Sequence, residues 1–265
     1  MNALYKAEIS KYTKNDGIMA LCLFAFWFTG GMSVGILRQM GADPLIAGLS
    51  YSVIMVAVCF ALVLIKKQGF ASIGFRKKNL WPALRLGLLF SIIPLVLNDG
   101  ILPGIIYGWQ PRPLGVILLI SIGTLIFAAA EDIVFVGYIQ TRLYGIVKND
   151  ILAISFGAFL FSIMHISIPL VQNGLAVFNT DILFWLLACF VLHFVMNALF
   201  RRYFIIFSTT IWHTLNNVAG SRNIWATGEH TTFWPILSLP VIVLAMGAWA
   251  LYLRRHSGGV AVEHS

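Results

Sequence analysis

Runs of about 20 apolar residues recur along this chain, and they restrict its fold more than any other feature. A helix needs about that many residues to cross the hydrocarbon core of a bilayer. Candidate spans lie near residues 17–37, 45–65, 82–102, 114–145, 150–167, 181–200, 203–219 and 233–253. In lipid the backbone must satisfy its own hydrogen bonds, which leaves helices or closed barrels, and runs of this length select helices. Hydrophobic residues make up 59% of the chain and charged ones 11%, a balance that excludes an ordinary soluble domain. The expected fold class is therefore all-α: a polytopic membrane helical bundle of about eight transmembrane helices.

Residues 1–16 form a polar segment, 17–253 the membrane domain and 254–265 a polar tail. The first apolar run has no small-residue cleavage site, so it is expected to be retained. The fourth run exceeds one crossing and is expected to protrude. Pro94, Asn98 and Asp99 weaken the third. With this number of crossings, all of the 18 Lys and Arg residues except Arg38, Arg112 and Arg222 fall on one side. The asymmetry predicts cytoplasmic termini. It also explains the net charge of +8 by anionic lipid headgroups, without nucleic acid. The stretch Lys66 to Arg85 mixes basic and apolar residues, which is compatible with an interfacial amphipathic segment or with a basic loop. Cys22, Cys59 and Cys189 lie in apolar stretches with neither disulfide nor thiolate-metal spacing.

Within the apolar runs stand Glu131, His165, His213 and Asn217. Ionisable residues inside a membrane are costly, so they mark a functional site by default. Helix rise places the four at a common depth. At about 1.5 Å per residue, Glu131 lies ~21 Å from Gly145, His165 ~22 Å from Asp150, and His213 and Asn217 ~18 and ~24 Å from Arg201. His213 and Asn217, four apart, share a helix face. His193 and Asn197 repeat that spacing, but His193 lies only ~12 Å from Arg201 and falls outside the layer. A buried Glu can deprotonate a water that a His orients. A second His and an Asn amide can donate to the oxyanion of a tetrahedral intermediate. These parts suit peptide-bond hydrolysis within the membrane, and no cofactor is expected. A zinc site from Glu131, His165 and His213 is an alternative, although no HExxH pair supports it.

The stretch Glu131-Asp132-Ile133-Val134-Phe135-Val136-Gly137 resembles the EExxFRG signature of the CPBP family, the Abi or CAAX-protease family of intramembrane glutamic endopeptidases. Phe161 to His165 resembles its FxxxH motif, and Leu199 through Asn217 is similar to its closing stretch, ending in HxxxN. The resemblance runs from about Gly115 to Asn217 and implies a protease-like core near residues 114–219. It implies that Glu131 and His165 activate the hydrolytic water and that His213 and Asn217 form the oxyanion site, with Asp132 and Phe161 in support. The implied substrate is a hydrophobic or lipidated peptide or protein. The implied location is the plasma (inner) membrane of a prokaryote.

Two positions depart from the pattern. The usual second Glu is Asp132, and the usual Arg, its i+4 ion-pair partner, is Val136. Asp132 has therefore lost that partner. The departure keeps open a non-catalytic reading, in which a membrane scaffold or bacteriocin-immunity-type protein retains the fold.

Overall fold

The computed structural model describes residues 2–97, 101, 105, 108, 109, 112–219, 240–245, 247–249 and 251. Helix is the only regular structure among them. The main elements are α1 (Ala3–Ile9), α2 (Lys14–Gln39), α3 (Pro44–Ile65), α4 (Leu80–Leu97), α5 (Leu114–Leu143), α6 (Asp150–Met164), α7 (Ser167–Asn173), α8 (Thr180–Tyr203) and α9 (Ile206–Ala219).

Local sequence explains where these helices begin. Thr13 and Asp16 form a reciprocal capping box at the start of α2. Asp43 caps α3 with Pro44 at the first helical position, where a missing N–H costs nothing. Asn149 and Asn179 cap α6 and α8 through their side-chain oxygens. The start of α9 is satisfied differently. Phe204 adopts a left-handed conformation that ends α8, and the Ile206 N–H then donates to the Gly74 carbonyl at 3.0 Å.

Six of the described helical stretches are long and apolar enough to cross a membrane: Lys14–Gln39, Pro44–Ile65, Leu80–Leu97, Leu114–Leu143, Asp150–Val177 and Thr180–Tyr203. The all-α membrane bundle is thus observed, with six such stretches among the described residues. The seventh expected span falls on α9, whose 14 described residues are Ile206–Ala219. The eighth lies largely outside the described residues, as do Asn98 and Asp99. The bundle's outer surface carries Leu118, Leu119, Ile122, Leu183 and Leu187, all exposed, as a lipid-facing surface requires.

The interior is built around α5. Helix α9 packs against α4 and α5, α6 against α8, and α2 against α7. Helices α4 and α9 cross closely at Gly87, where a Cβ would stand 2.5 Å from the Ser208 carbonyl oxygen. Only a glycine lets α4 and α9 approach that closely.

Residues 66–79 form no interfacial helix. The segment folds as a short turn, Phe70–Ile73, tucked under α5 by a fully buried Arg142. Arg142 donates to Gln68 Oε1 at 2.6 Å, Ser72 Oγ at 2.8 Å and the Ser72 carbonyl at 3.3 Å, and lies over the Tyr12 and Tyr138 rings. Those contacts tie the segment to the bundle, with Ile73 buried while Phe70 stays exposed. The polar N-terminal segment is likewise docked: Tyr5 of α1 is buried edge-on against Tyr144, Phe200 and Phe204.

Candidate active site

Glu131 stands where α5 changes its winding. Residues up to Glu131 are α-helical, and Asp132–Ile139 form a π-helical segment before the α-helix resumes at Gln140. Such wide turns re-aim side chains and recur at functional sites. Here the consequence is that two consecutive carboxylates meet one imidazole. His213 Nδ1 lies 2.9 Å from Asp132 Oδ1, and its Nε2 lies 3.7 Å from Glu131 Oε2. Asp132 and His213 are essentially inaccessible, while the Glu131 side chain keeps 22% exposure into a cavity.

That cavity, of about 350 Å³, is lined by Glu131 and His165 together with Trp27, Arg38, Tyr51, Phe127 and Gln172, among others. His165 follows the last turn of α6, and its Nδ1 donates to the Phe161 carbonyl at 2.8 Å. A carbonyl can only accept, so a proton sits on Nδ1, and in the neutral imidazole Nε2 offers a lone pair. The His165 ring rests edge-on against Trp185, with centroids 5.0 Å apart.

Phe161 is the common floor of this region. Its ring centroid lies 5.0 Å from His165, 6.2 Å from His213, 5.1 Å from His193 and 5.4 Å from Phe135. The structure therefore brings Glu131, Asp132, His213, His165 and Phe161 into one cluster. Asn217 is one turn beyond His213 on α9 and partly buried, with its Oδ1 accepting from Asn216 Nδ2 at 3.5 Å. It does not line the cavity. Among the described residues, no three His, Cys, Asp or Glu side chains are grouped so as to hold a metal ion.

The stretch carrying this geometry, from α5 through α9, is also the one that matches a known family. Residues 113–219 match the family model described as type II CAAX prenyl endopeptidase Rce1-like. That stretch is similar to a CAAX-protease family. The match covers less than half of the chain, and comparison with curated proteins and with solved structures gives no significant match. At the level of the family, this supports a membrane protease.

Against the CAAX-protease pattern, the missing arginine has a definite local outcome. Val136 is fully buried among apolar neighbours, and Asp132 is bonded through Oδ1 to His213, while its Oδ2 has no partner among the described residues. Sequence reasoning did not identify Trp27, Arg38, Tyr51 or Gln172 as cavity residues. Nothing in their spacing marks them, because α2, α3 and α7 meet α5 only in three dimensions. Arg38 carried one signal: it is among the few basic residues outside the majority side.

Proposed function

We propose that this protein is an intramembrane endopeptidase that hydrolyses a peptide bond of a hydrophobic, membrane-associated substrate. The observation that carries the reading is the cavity in which a part-exposed Glu131 shares a wall with His165 while His213 stands 3.7 Å behind it. Glu131 takes a proton from water as the water oxygen bonds to the scissile carbonyl carbon. His165 Nε2 accepts the water's other hydrogen bond and fixes its direction. As the C–N bond breaks, the proton held by Glu131 passes to the leaving amine.

His213 and Asn217 supply the oxyanion site. For His213 to donate from Nε2 while Nδ1–H is engaged by Asp132, both nitrogens must carry protons. The Asp132 carboxylate is the counter-ion that suits this two-donor form. In this reading the imidazolium of His213 serves Asp132 where the motif arginine is absent. Asn217, one turn further along the same helix, is the second donor of this reading, which requires its amide to turn toward the cavity that it does not line. Val136 favours the scaffold reading only so long as Asp132 lacks a partner, and His213 provides one.

The test uses purified full-length protein in lipid nanodiscs with a library of hydrophobic peptides, products being read by mass spectrometry. Wild-type protein is expected to cleave a subset of the library, and both Glu131→Gln and His165→Ala to leave that subset intact. Equal cleavage by the two variants overturns the proposal.

A further inference from the structure

Helix α8 runs 24 residues from Thr180, and its last turn carries Arg201 and Arg202. At about 1.5 Å per residue, Trp185 lies ~8 Å from the opposite end, at the level where tryptophan usually meets lipid headgroups. This tryptophan is 44% exposed, yet its ring also meets that of His165 at 84°, with centroids 5.0 Å apart. Trp185 lines a second cavity, of about 460 Å³, between the end of α7 and the start of α8. The exposed polar residues Asn173, Asn179 and Asp181 line it too, together with Ala176 and Pro169. Pro169 lines the Glu131 cavity as well. One layer of side chains, Pro169 and the His165–Trp185 pair, therefore stands between the two cavities.

The seam between α6 and α8 is closed in the other direction. Ser162, on the Asp150 side of His165, donates from Oγ to the Leu186 carbonyl at 2.6 Å. Further along α8, Cys189 and His193 are buried. Room for the Trp185 ring to move lies towards the second cavity.

Hydrolysis consumes one water for each peptide bond, and the peptide enters the 350 Å³ cavity that holds Glu131. A bound peptide segment displaces the water already there, so the attacking water needs a path that the peptide does not block. Empty cavities are apolar, whereas a roomy cavity lined by polar groups holds water. The carboxylate of Asp181 and the amides of Asn173 and Asn179 give the second cavity that lining.

We propose that the second cavity is the water inlet of the site and that the Trp185 ring is its inner gate. The ring turns from His165 to pass a water to Glu131 while the peptide is bound. The inference rests on the endopeptidase reading for the reaction that consumes the water, but the access it asserts is measurable without turnover.

The experiment plugs the inlet. Full-length protein in nanodiscs carries Cys22→Ser, which removes the exposed native thiol, and Ala176→Cys. The new thiol is joined to a sulforhodamine methanethiosulfonate as a mixed disulfide, with methanesulfinate leaving, and dithiothreitol later removes the label. Leu175→Cys is the control, because Leu175 is 81% exposed on the same turn and does not line the cavity. On a cleaved peptide, the plug at position 176 is expected to lower kcat at least about tenfold with KM little changed, since water entry then limits turnover. Reduction should restore kcat, and the same label at position 175 should leave it within about twofold of the unlabelled protein. Access is read separately in Glu131→Gln protein, from exchange of the His165 C2 hydrogen with D2O by mass spectrometry. Trp185→Ala is expected to speed that exchange severalfold, the plug at position 176 to cancel the gain, and Trp185→Phe to stay near wild type.

A thiol at position 176 that the reagent does not reach, a kcat indifferent to the plug, or an equal loss from the label at position 175 would each overturn the proposal. So would exchange at His165 that ignores both Trp185→Ala and the plug. Should Trp185→Ala fail to fold, the plug decides, because it leaves the His165–Trp185 pair unaltered and is reversed by reduction. Cleavage that ignores the plug removes the inlet alone. Exchange that follows the gate and the plug without any cleavage removes the protease reading and leaves a water passage to His165.

Discussion

Two His-xxx-Asn pairs occur in this bundle, and both histidines are buried. His213 on α9 stands between two carboxylates, with Asn217 one turn on. His193 on α8 is stacked on Phe161, with Nε2 3.2 Å from Gln140 Oε1, and its carbonyl accepts from Asn197 Nδ2 at 2.9 Å. The two share one spacing and even one neighbouring ring, yet one pair faces ionisable groups and the other a neutral amide. A buried histidine's chemistry is set by its hydrogen-bond partners, and the spacing of its motif decides only which helix face it shares.

Exchange experiments can break that comparison. On a peptide that the protein cleaves, His213→Gln is expected to lower kcat by about 10²–10³-fold, the usual effect of losing an oxyanion donor. The matching His193→Gln should change kcat no more than a few-fold. Comparable losses from both would erase the distinction. His165→Gln is expected to cost about 10²-fold, as for loss of a group that orients the attacking water. Asp132→Asn sharpens the comparison further. Asn can still accept from His213 Nδ1 but cannot balance an imidazolium, so kcat should fall at least about tenfold with KM little changed. A fall confined to KM would assign Asp132 a packing role.

The smallest effect is expected on the His193 side, in stability. A Cβ on Gly157 would fall 1.9 Å from Gln140 Oε1 and 3.1 Å from His193 Nε2. Gly157→Ala should therefore destabilise the fold by about 1–3 kcal/mol through overpacking, read as a lowered Tm. Its kcat, measured well below that temperature, should stay close to wild type.

The sequence pattern made the long helices legible because their apolar length is a direct property of composition. The runs near 17–37 and 45–65 appear as Lys14–Gln39 and Pro44–Ile65. The starting point of α9 was not legible, since it depends on Phe204 taking a left-handed turn and on Gly74 capping the next helix. Within the site, helix rise alone set Glu131, His165 and His213 at one depth. Which carboxylate meets which nitrogen was hidden, because the π-helical segment after Glu131 changes the direction of every side chain that follows. The wall contributed by Arg38, Tyr51 and Gln172 was hidden for a simpler reason: a cavity is a property of several helices, and none of them carries its pattern alone.

The proposed hydrolysis turns on Glu131 as the group that takes the proton from water. The most direct measurement is the steady-state kinetics of Glu131→Gln beside wild type, in the same nanodiscs and on the same cleaved peptide. Glutamine keeps the shape and loses the base. A fall in kcat of about 10³-fold or more, with KM within a few-fold and an unchanged Tm, is the predicted result. A kcat within tenfold of wild type would contradict it.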